Sequence, residues 1–145
     1  MNAVHTASPP TTSARVGGIG VLRALLLTEA VLALALTIFL SLLASGLRDF
    51  LGGDAGRAAE ETVRFVAGGA FLFVIGAALA SRAARRRLSW AWTLAALLQL
   101  VLAIGTGAAV MVAGWHPFYL LGFGLAAAAM LVLSTSSVRR ALGQQ

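Results

Sequence analysis

The chain contains no cysteine and no lysine, and only 11% of its 145 residues are charged. Without cysteine there can be no disulfide, thiol nucleophile, iron–sulfur cluster, cysteine-type zinc site or thiol–quinone redox chemistry. No set of residues converges on a nucleophile, a base or a metal, so an enzyme is the least expected class, and no cofactor or metal is expected. Every basic group is arginine, and the apolar positions are filled by Ala, Leu, Val and Gly rather than Ile, the bias of a high-GC coding genome. Such sparse charge, with 59% apolar residues and a mean hydropathy of +0.90, lies outside the range of soluble domains. The net charge of +6 does not point to nucleic acid, because the arginines gather at segment ends and form no amphipathic face.

What is present is four long apolar segments separated by polar joints. They read as helices over about Val21–Ser45, Thr62–Ser81, Leu88–Ala113 and His116–Ser136. Each reaches the ~20 residues needed to cross ~30 Å of hydrocarbon. Residues 1–18, rich in Ser, Thr, Pro and Ala, read as a disordered cytoplasmic tail, and 19–142 as one membrane domain. The first apolar run is longer than the ~7–15 residues of a secretory signal, and Leu42 and Leu43 stand where cleavage wants small residues, so a retained helix is expected. Arg15, Arg23, Arg82, Arg85, Arg86, Arg87, Arg139 and Arg140 fall on one side of the membrane and Arg48, Arg57 and Arg64 on the other. By the positive-inside rule the larger group is cytoplasmic. The expected fold is therefore an all-α, up-down-up-down bundle of four transmembrane helices with both termini cytoplasmic, in a bacterial cytoplasmic membrane.

Local chemistry agrees with this topology. Glu60 and Glu61 precede helix two and Arg82 follows it, opposing its macrodipole favourably, as Arg139 and Arg140 do for helix four. Asp54 is placed to cap an outward extension of helix two, with Arg57–Glu61 and Glu60–Arg64 at ion-pair spacing. Trp90, Trp92, Trp115 and Tyr119 fall where aromatic belts belong, Pro117 suits a first helical turn, and Met111–Trp115 reads as a tight external turn. His116 reads as a wetted helix cap. Small residues recur at packing intervals in Gly69, Gly76 and Ala80, in Gly105 and Ala109, and in Gly122–Ala126 and Gly124–Ala128. These read as intramolecular packing surfaces.

Glu29 is the exception to this apolar pattern. It lies seven residues past Leu22, or ~10 Å into the membrane at 1.5 Å per residue. A charged carboxylate there costs about 2.5–3.5 kcal/mol on insertion scales, so the side chain is expected to face the bundle interior. Arg23 lies on a different helical face. Gln99 is the other strongly polar side chain at depth, on a heptad-spaced face with Trp92 and Thr106 and flanked by Ala95, Ala96 and Ala103, whereas Thr93 is rotated away. A Glu29–Gln99 hydrogen bond with a neutral carboxyl is the expected pairing. Its roles are either helix adhesion or proton and cation coupling. Thr28, Thr37, Ser41 and Ser45 are expected to bond back to their own helix. Arg82, Arg85, Arg86 and Arg87 are expected to contact anionic lipid headgroups.

The stretch FYLLGFGLAAAAMLVLSTSSVRRALGQQ resembles the C-terminus of small four-helix integral membrane proteins of actinobacteria. The resemblance implies a compartment and an architecture and carries over no binding residues. A lone Glu in the first of four helices also resembles the small multidrug resistance transporters, which implies a coupling role for Glu29. The chain departs from them in its acidic joint, N-terminal tail and arginine asymmetry. The functional expectation is a structural or accessory component of a membrane assembly, in contact with lipids and with a protein partner or further copies of itself. The alternative is an oligomeric proton-coupled exporter or channel using Glu29, with Gln99 and Trp92 lining the path.

Overall fold

The computed structural model describes residues 12–144, with side chains described for 17–112 and 114–144. Five helices follow one another: α1 (Thr12–Leu51), α2 (Gly53–Arg85), α3 (Trp90–Ala113), α4 (Pro117–Ser134) and α5 (Ser136–Ala141), with no strand among the described residues. The first four are long and apolar enough to cross a membrane, the architecture of a multi-pass membrane protein. Successive long helices are neighbours, α4 closes back on α1, and α1 and α3 stand diagonally across the resulting square.

The helix ends differ from those expected in three places. Residues 12–18, read as tail, are the first turns of α1, and residues 1–11 lie outside the described chain. Packing begins at Gly18, where a Cβ would come within 2.9 Å of Val138 in α5, and continues at the fully buried Leu22. The acidic joint is almost wholly helical, leaving only Gly52 between α1 and α2. Gly52 (φ 64°) and Gly53 (φ 54°) adopt the left-handed backbone that reverses the chain, while Gly52 N–H still reaches Arg48 O at 3.1 Å. Asp54 is not the cap. Gly52 holds that position, and Asp54 instead sits in the first turn, where its charge suits the helix N-terminus. Finally, the last apolar segment stops at Ser134. Thr135 turns extended (ψ 136°), and the Arg139–Arg140 segment becomes α5, which folds back to bury Val138 and Leu142 completely.

The turn between α2 and α3 closes with Leu88 N–H on Ala83 O and Arg87 N–H on Ala84 O, both 3.1 Å. This is the Schellman pattern, and its left-handed position, usually glycine, is occupied by Arg87 (φ 55°).

Packing is uneven along the membrane normal. The main core, including Leu22, Leu26, Ala77, Ala84, Ala95 and Leu133, gathers towards the arginine-rich end. Beyond Ala30, α1 buries only Ala44. Its buried and half-buried positions there form one alternating seam, Leu26, Ala30, Ala33, Thr37, Leu40, Ala44 and Leu47, which α2 answers with Gly56, Glu60, Val63, Ala67, Ala70, Val74 and Ala77. Steps of four and three average 3.5 residues, the seam of a two-stranded coiled coil. Small residues on both sides let the backbones approach, most closely where a Cβ on Gly56 would meet Arg48 O at 2.9 Å. The expected glycine stripes are only partly used. Gly76 meets Leu98, Gly122 meets Thr106 and Ala126 is buried, but Gly69, Gly105 and Gly124 touch nothing within 4 Å. On α2 the stripe is used at Gly76 and at the fully buried Ala80, while the seam with α1 is made mainly by alanines that a search weighted to glycine passes over.

Two registers fix how far α1 and α2 project. Glu29 is level with Gln99 and Gly76 with Leu98, so the end of α3 at Ala113 is level with Leu43 in α1 and Glu61 in α2. About eight residues of each helix, or ~12 Å at 1.5 Å per residue, extend past the α3–α4 hairpin.

Candidate functional site

Glu29 and Gln99 meet at the bundle centre. Gln99 Nε2 donates to Glu29 Oε2 at 2.7 Å, and the two residues are 1% and 3% exposed, respectively. The bond spans the α1–α3 diagonal, where few backbone contacts join the helices. Leu26 and Ala30 on α1 and Ala95 and Leu98 on α3, all buried, flank the pair and keep it dry. The second oxygen of each group, Glu29 Oε1 and Gln99 Oε1, has no hydrogen-bond partner. A protonated carboxyl carries the one donor this arrangement lacks, so a neutral acid satisfies the site better than a carboxylate.

The described hydroxyl groups of α1 are accounted for locally. Thr28, Thr37 and Ser41 donate to the carbonyls of Ala24, Ala33 and Thr37, and Ser45 to that of Leu42, at 2.7–2.9 Å. Thr106 does the same to Leu102 O at 2.7 Å. Exposed His116 is the N-cap of α4, its Nδ1 accepting from Phe118 N–H at 3.4 Å, with Pro117 next in the first turn. Trp92 was expected in an aromatic belt or along a transport path. It is instead turned inward, donating its indole N–H to Leu133 O at 3.1 Å. That carbonyl belongs to the last turn of α4, where the helix stops and continuing amides are absent, so the indole serves as a cap. Trp90 remains half-exposed.

Ion pairing among the described residues is confined to the acidic half of the α1–α2 hairpin. Arg64 pairs with Glu60 at 2.6 Å, and Arg48 reaches the same carboxylate from α1 at 3.9 Å. Arg57 pairs with Asp54 at 3.9 Å rather than with Glu61, because at the helix start the i, i+3 neighbour is nearer. No cluster of residues suited to hold a metal occurs among those described.

The arginine run is divided by the fold. Arg82 and Arg85 line one side of a groove of about 510 Å³ between α1 and α2, and Arg23 lines the other. Arg87 joins Arg140 and Ser137 around a smaller recess of about 200 Å³. Arg86, at the C-cap of α2, is exposed and lines neither. Sequence reasoning missed Arg23, although its spacing four residues before Leu27 puts both on one helix face beside the α1–α2 seam.

Compared with known protein families, curated proteins and solved structures, the chain matches none.

Proposed function

We propose that this protein is a small accessory subunit of a membrane assembly, seated in a bacterial cytoplasmic membrane with its arginine-rich end in the cytoplasm. The observation that carries the reading is the projecting tip of the α1–α2 hairpin. This tip lies past the end of the α3–α4 hairpin, where α1 and α2 have only each other as neighbours. It presents Phe50, 84% exposed, and Leu51, 49% exposed, beside Asp49, Asp54 and Arg57. Apolar side chains in that position, past the neighbouring hairpin and rimmed by charge, suit a protein partner. The eight arginines at the opposite end support the orientation. A photo-crosslinking amino acid at position 50, used in native membranes, is expected to give a discrete adduct with another protein, absent when the probe stands at the exposed position 139. Adducts with lipid alone would refute the reading.

A second reading, an oligomeric proton-coupled exporter or channel acting through Glu29, is favoured by the two unpartnered oxygens of the Glu29–Gln99 pair. In proteoliposomes carrying a pH gradient, Glu29→Gln would abolish proton flux on this reading. The accessory reading expects the variant and the parent chain to behave alike.

A further inference from the structure

The groove between α1 and α2 at the arginine-rich end changes character along its length, and both walls change at the same level. On α2 the lining passes from Val74, Ile75, Ala78 and Leu79 to Ser81, Arg82 and Arg85. On α1, which runs the other way, it passes from Leu27 to Arg23. The Glu29–Gln99 and Gly76–Leu98 registers put Arg23 level with Ser81 and Arg82. A single groove of about 510 Å³ is therefore apolar along one part and basic along the other, with Arg23 and Arg82 at one level and Arg85 one turn further on.

Among the described residues no acidic side chain pairs with those groups. The five acids of the sequence are Glu29, engaged with Gln99, and Asp49, Asp54, Glu60 and Glu61 near the opposite end. The Arg23 Nε–H is buried and has no hydrogen-bond partner. A buried, unpaired guanidinium donor is costly unless an anion meets it. Ala78 is the smallest side chain of the apolar lining, where a larger one would fill the space.

We infer that this groove binds one anionic phospholipid, its phosphate held by Arg23, Arg82 and Arg85 and one acyl chain lying over Ala78 between α1 and α2. A soluble phosphate ester would use the guanidinium end alone, whereas a lipid uses both ends, and the continuity of basic and apolar lining selects the lipid. Arg86 faces elsewhere and takes no part.

The test is native mass spectrometry of the full chain released from detergent micelles containing equal amounts of phosphatidylglycerol and phosphatidylcholine. The expected result is a single phosphatidylglycerol adduct, reduced about tenfold by Arg23→Gln and by Arg82→Gln, the scale of one charge-assisted hydrogen bond. Ala78→Phe is expected to reduce it similarly without removing any charge, and Arg86→Gln to leave it intact. Circular dichroism and size-exclusion profiles matching the parent establish that each variant folds. Equal retention of phosphatidylcholine, unchanged binding in Ala78→Phe, an equal loss in Arg86→Gln, or displacement of the lipid by millimolar inorganic phosphate would each overturn the proposal.

Discussion

Removing the Gln99 donor is the most direct test of what the central pair contributes. Gln99→Leu keeps the side-chain volume roughly constant but deprives Glu29 Oε2 of its 2.7 Å bond, leaving a buried carboxyl with neither oxygen paired. An unmade bond of this kind costs about 1–3 kcal/mol, whereas replacing both partners by apolar groups of similar shape is nearly neutral. Glu29→Leu with Gln99→Leu should therefore recover most of the stability lost in either single variant. Interhelical hydrogen bonds measured in membranes average about 0.6 kcal/mol and reach about 1.7 kcal/mol, which bounds the coupling expected from the cycle. Glu29→Gln keeps an acceptor for Gln99 and adds a donor, so it should shift stability by less than about 0.5 kcal/mol. Reversible unfolding in mixed micelles of rising dodecyl sulfate content, followed by tryptophan fluorescence, reads the parent and all four variants. If the Glu29→Leu and Gln99→Leu effects add to within about 0.3 kcal/mol, the pair is not coupled and the reasoning fails.

Gly56→Ala places a methyl 2.9 Å from the Arg48 carbonyl and 3.3 Å from its Cα. Backbone atoms cannot step aside, so the tip should loosen by about 1–3 kcal/mol, seen as faster amide exchange in residues 47–60 with the inner core unchanged. Trp92→Phe loses the cap on Leu133 O and should cost about 1 kcal/mol in micelle unfolding, while the half-exposed Trp90→Phe should not; equal effects would contradict the inward role of Trp92. Arg87→Gly relieves a left-handed backbone of its Cβ and should raise stability by about 1 kcal/mol; a loss would show that the arginine side chain itself holds the turn.

The four apolar helices could be read from sequence because hydrocarbon enforces a simple rule of length and apolarity, independent of tertiary detail. Glu29 and Gln99 stood out because polar atoms at depth have few places to go, and the structure joins them. Likewise Thr28, Thr37, Ser41 and Ser45 had only their own carbonyls within reach. The features that escaped depend on contacts between distant segments. The start of α1 meets α5 at Gly18, and α5 is seated by the burial of Val138 and Leu142 beneath the bundle. Composition alone reads both as loose ends. In the acidic joint the outward extension of α2 was legible from its charge spacing, whereas the continuation of α1 through Gly46 to Leu51 was not, because glycine and charge usually mark a loop. The basic groove required knowing that Arg23 and Arg82 stand at one level, which antiparallel pairing decides.

The absence of any break in α1 between the Gly18 contact and Leu51 makes the protein a lever. Its fulcrum is the tightly packed base around Leu22, Leu26 and Glu29, and its long arm is the coiled coil with α2. From Glu29 to Leu51 the arm measures ~33 Å, so a tilt of about 5° at the base sweeps the Phe50 end through about 3 Å. Whatever repacks the arginine-rich end by a few degrees is thus converted into a displacement on the far side of the span, with no rearrangement needed in between.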